Sequence, residues 1–64
     1  MTAHQEKILR DWYDCDVVEI PYESKPQLAA RYLQVVEEIH NTDDRAFDKA
    51  GVAVLEVLHD LILS

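Results

Sequence analysis

Cysteine, glycine and basic residues are scarce in this chain. One cysteine, Cys15, excludes any disulfide within it. With no signal-peptide pattern either, the expected setting is reducing and intracellular, with the cytoplasm as the expected location. One glycine, Gly51, leaves no glycine-rich loop to cradle a phosphate. No apolar run approaches the ~18 residues that a membrane span needs, because the longest candidate is interrupted by Glu56, His59 and Asp60. Six basic residues stand against thirteen acids, giving a formal net charge of −7. Such a surface repels nucleic acid and anionic membrane, so neither is expected as a direct partner, and it suits a protein partner with a basic surface. There is no Ser/His/Asp spacing of interest, no basic–aromatic interleaving and no pattern for a cleft-forming sheet. The expectation is a protein that is not an enzyme and carries no cofactor.

What remains is helical. Sixty-four residues allow one small domain, and a chain of this size buries only about 60% of the surface its unfolded form exposes. The organising stretch runs from Thr42 to Ser64. Phe47, Ala50, Gly51, Val54, Leu55, Leu58, Leu61 and Ile62 recur there at three- and four-residue steps, predicting a helix over 43–63 with a wide apolar stripe. Gly51 beside Ala46, Ala50 and Ala53 predicts a close helix–helix approach. Val52, Val57 and Leu63 fall at or beyond the margin of the stripe, which makes them candidates for self-association through this helix.

Two further helices precede it. Thr2 and Gln5 fit a capping box at the start of a helix over 3–14, with Ile8, Leu9 and Trp12 on its inner face. Ser24 and Gln27 form a second box, with Pro26 in the first turn, starting a helix over 25–40. Its expected inner face is Leu28, Ala29, Tyr32, Val35, Val36 and Ile39, with Arg31, Gln34 and Glu38 outside. Asn41 to Asp44 supply a short turn and the next N-cap, so the last two helices should form an antiparallel hairpin. Between the first two helices lies a link over 15–23, in which Val18, Ile20 and Tyr22 alternate with Glu19 and Pro21. This predicts an extended connector packed over the helices, with pairing to another chain as the alternative. The fold class is therefore all-α, three helices.

Few constellations suggest chemistry. Glu37–His40 and Glu56–His59 each have the Glu-x-x-His step with which helical carboxylate bundles hold di-iron. In an antiparallel hairpin the two steps lie at opposite ends, so only a dimer could join them; no metal is expected, and a dimeric metal protein is the remote alternative. Cys15 between Asp14 and Asp16 lacks the positive surroundings that favour thiolate, and reads as a small hydrophobe.

The charge pattern carries most. Asp11, Asp14, Asp16, Glu19 and Glu23 have no base among them and are interleaved with Trp12, Tyr13 and Tyr22. Glu37, Glu38, Asp43 and Asp44 surround the hairpin turn. Asp44–Asp48 and Glu56–Asp60 are like-charge pairs four residues apart, each costing some tenths of a kcal/mol. Acids held against local preference suit a surface shaped for a basic partner. The expected binding residues are Asp11, Trp12, Asp14, Asp16, Glu19, Tyr22, Glu23, Glu37, Glu38, Asp43 and Asp44. Size and charge fit an inhibitor of a nucleic-acid-handling protein, of the kind phages and mobile elements encode, with carboxylates imitating a phosphate row. A self-associating structural or regulatory subunit, whose acidity serves solubility, is the alternative.

Overall fold

In a computed structural model describing all residues from Met1 to Ser64, the chain forms three α-helices and one short 3-10 turn, without strands. Helix α1 spans Ala3–Tyr13, α2 Lys25–His40 and α3 Arg45–Leu63. No helix is long and apolar enough to cross a membrane. Both capping boxes are formed. Thr2 and Ser24 accept from the backbone N–H groups of Gln5 and Gln27, whose side chains accept in return from the cap N–H groups. Helix α1 ends when Asp14 turns into the left-handed region (φ 53°, ψ 39°), which aspartate tolerates better than most residues. Helix α3 begins at Arg45 rather than at 43, because Asp44 is its N-cap and accepts from the N–H groups of Ala46 and Phe47.

Helix α3 is the common packing partner of α1 and α2. At one end Gln5 donates to Asp60 across 3.3 Å, and Lys25 Nζ donates to the main-chain oxygens of Leu61 and Ser64 at 2.8 and 2.7 Å. At the other end the rings of Trp12 and Phe47 meet with centroids 4.6 Å apart. Both α1 and α2 therefore run antiparallel to α3, and α2 and α3 form the expected hairpin. Two neighbours that run the same way cannot be joined by a tight turn, so the link must travel back along the bundle.

The link does this in a bent form rather than an extended one. Asp16 accepts from the Val18 N–H, and Ile20–Tyr22 form the 3-10 turn, closed by hydrogen bonds from Ile20 to Val17, Tyr22 to Glu19 and Glu23 to Ile20. Val17 and Ile20 are buried while Val18 and Tyr22 are exposed, so the buried spacing is three residues and not two. The alternation in the sequence is outweighed by the need of a short crossing segment to drop two side chains into one core.

That core consists of Leu9, Val17, Ile20, Leu28, Val35, Val54, Val57 and Leu58. Val57, expected at the margin and available for self-association, is 3% exposed and belongs to the core. It sits one helical step from Val54 and Leu58, on the side covered by α1. Ala29 and Val36, expected inside, lie on an exposed flank of α2. Arg31, expected outside, is drawn inward. Its guanidinium lies 5.0 Å from the Tyr13 ring centroid and donates through Nε and Nη2 to the Glu23 carboxylate, the latter at 2.8 Å.

The Glu23–Arg31 pair ties the link to α2. The hydrogen bonds from Arg31 hold the Glu23 carboxyl below its usual value, with burial opposing them, and the carboxylate raises the Arg31 guanidinium further still. A lowered folded value means that the pairing stabilises the fold above the unfolded carboxyl pKa of about 4.3 and is lost as pH falls through the folded value. Between about pH 6 and pH 3, native protein should lose roughly 1 kcal/mol more stability than Glu23→Gln, measured by urea unfolding. Equal losses in the two proteins would show that the pair contributes nothing.

Candidate protein-binding surface

The acidic groups that the sequence separates are partly reunited by the fold. Trp12, near the end of α1, touches Phe47 in the first turn of α3. Phe47 also borders Gln34, Glu37, Glu38, Asn41 and Thr42. One end of the bundle thus collects Asp11, Asp14 and Asp16 from the first group and Glu37, Glu38, Asp43 and Asp44 from the second. All seven are exposed. Bases are present here too, but Arg10, which borders Asp14 and Asp16, is engaged by Glu6. Arg45 follows Asp44 directly and is exposed.

At this end an apolar groove of about 300 Å³ opens between α1 and α3. Ile8, Trp12, Phe47, Ala50 and Ala53 line it, and Asp11 stands at its lip. Its depth comes from Ala50 and Ala53, two small residues that follow Phe47 on α3 and leave a slot beside Ile8 and Trp12 of α1. Trp12 was expected at a binding surface. Phe47, Ala50, Ala53 and Ile8 were not, because they read as ordinary stripe or margin positions until α1 is laid against α3. The only available signal was the excess of alanine on one side of the α3 stripe.

Other expected site residues fall elsewhere. Glu23 is occupied by Arg31. Tyr22 is 86% exposed but borders Met1, Glu6, Val18 and Pro21, near the start of α1. Glu19 is exposed in the link. Two of the acids read as held against local preference have partners within the chain: Asp44 caps α3, and Asp60 accepts from Gln5 of α1. Asp16 likewise closes a turn through Val18. No three His, Cys, Asp or Glu residues gather where they could hold a metal ion, and Cys15 is exposed.

Comparison with protein families, with characterised proteins and with solved structures finds no match to this chain.

Proposed function

We propose that this is a small acidic protein-binding module whose acidic end docks on a basic protein surface. The observation that supports this reading is the convergence of two acidic segments, distant in sequence, at the end of the bundle where an apolar groove with Asp11 at its lip opens. The groove with its acidic lip suits an arginine or lysine of the partner. The methylene stem would lie against Trp12 and Phe47, and the charged head would meet Asp11. Exposed carboxylates at the rim would speed and orient the encounter rather than supply most of the affinity. The partner class that fits is a nucleic-acid-handling protein in the cytoplasm, whose basic site the module would occupy as an antagonist. A phage or mobile-element origin matches this role.

The test is a native-mass determination on protein isolated gently from its source, at low and then high salt. A heteromeric complex is expected that dissociates as salt rises, since the screening length falls from about 10 Å at 0.1 M to about 3 Å at 1 M. With the partner in hand, Asp11→Lys combined with Asp14→Lys should weaken binding by roughly tenfold to a hundredfold while circular dichroism stays unchanged. Affinity unchanged by both salt and charge reversal would end this reading.

A further inference from the structure

The α2–α3 hairpin keeps one face that α1 and the link do not cover. On α3 it carries Asp48, Val52, Leu55 and His59. Asp48 and His59 are eleven residues apart, which is three helical turns, so they share one stripe with Val52 and Leu55 between them. Tyr32 of α2 joins Val52, Leu55, Glu56 and His59 around a shallow cavity of about 340 Å³. One turn further along α2, Val36 continues the apolar strip. Val52 is 49% exposed and Val36 40%.

We propose that this face pairs with a second copy of the chain, about a two-fold axis that sets the two α3 helices antiparallel. The midpoint between Asp48 and His59 is also the midpoint between Val52 and Leu55. An antiparallel two-fold through that point places Val52 against the partner's Leu55, and Asp48 against the partner's His59. A ring N–H of that histidine donates to the carboxylate of Asp48, a residue that is half-buried in the single chain. The face is thus complementary to itself, with Val52 and Leu55 at the centre, the exposed Glu56 beside them, and acid opposite histidine at both ends.

The sense of the pairing follows from charge. Each chain carries −7, concentrated at the end that holds the α2–α3 turn. A parallel dimer would set the two acidic ends side by side. The antiparallel one separates them by about the length of α3, roughly 28 Å and several Debye lengths at physiological salt. A 64-residue chain with eight apolar residues in its core also belongs to the size class that often gains stability by association. The proposal is independent of the basic-partner reading, since Asp11, Asp14 and the Trp12–Phe47 groove lie outside this face.

The experiment is light scattering and sedimentation equilibrium on the purified chain from micromolar to millimolar concentration. The expected mass at the upper end is twice the 7.4 kDa of one chain. Val52→Glu should raise the dissociation constant about a hundredfold without loss of helicity. Asp48→His and His59→Asp should each raise it about fivefold, and the double exchange should restore it. The two positions lie about 16 Å apart along one helix and cannot pair within a chain, so restoration can arise only between copies. A monomer at every concentration overturns the proposal. So does a dimer indifferent to Val52→Glu, or a double exchange no better than the single ones. Asp11→Lys with Asp14→Lys should leave the dimer unchanged, which separates this outcome from failure of the basic-partner reading.

Discussion

Gly51→Val is expected to remove about 3 kcal/mol of stability, a large share of the total that a domain of this length holds. A Cβ placed on Gly51 would lie 2.5 and 2.6 Å from Cδ1 and Cγ1 of Ile39 and 3.2 Å from Cη2 of Trp12. The residue therefore sits where all three helices converge. Alanine isolates the first part of the effect. On an exposed helix it would gain about 1 kcal/mol over glycine, but here the overlap with Ile39 outweighs that gain and leaves a net loss of about 1 kcal/mol. Valine adds two methyl groups in the same space. Urea unfolding followed by circular dichroism gives both values. Trimming the obstacle supplies the control: Gly51→Ala with Ile39→Val should cost less than the sum of the single changes, because the two sites share one volume. A Gly51→Ala protein more stable than the native one would show that the approach is looser than these distances.

Leu9→Ala is the second large effect, at about 3 kcal/mol. Leu9 is the only buried residue of α1, so that helix is docked mainly through one side chain flanked by Ile8, Trp12 and Tyr13. Its loss should free α1 before the hairpin melts. Trp12 would leave Phe47, its fluorescence would shift to the red, and the groove between α1 and α3 would disappear. Under the proposed function this variant should lose its basic partner although every carboxylate is still in place. Retained binding with a red-shifted Trp12 would mean that charge alone, without the groove, makes the contact. Unchanged emission and stability would mean that α1 is held by something other than Leu9.

Much of the architecture was legible because it rests on local signals. The two capping boxes, the Asp44 cap and the apolar periods of the last two helices all act within a few residues, and each appears in the structure close to its expected place. Gly51 signalled a close approach for the same reason, since a lone glycine among alanines in an apolar stripe has few other uses. Periodicity failed where the chain is neither helix nor strand. In the link, alternation suggested an extended segment, but Val17 and Ile20 are the pair that reaches the core. Arg31 was misplaced because a helical wheel ranks residues by polarity and does not see that Glu23 and Tyr13 await it.

The candidate surface was less legible than the fold, and for a physical reason. A charge run is visible in sequence, but which runs become neighbours depends on the direction in which the helices pack. Sequence alone determined three capped helices, a hairpin, a net charge of −7 and the absence of a long apolar span. Tertiary structure alone decided that Asp11 and Asp14 share an end with Glu38 and Asp43, that Val57 is core and that Val52 is not. Local preferences act over one or two turns. Burial is settled only when α1 and α2 compete for the circumference of α3, and the flank that neither covers is known only after both have docked.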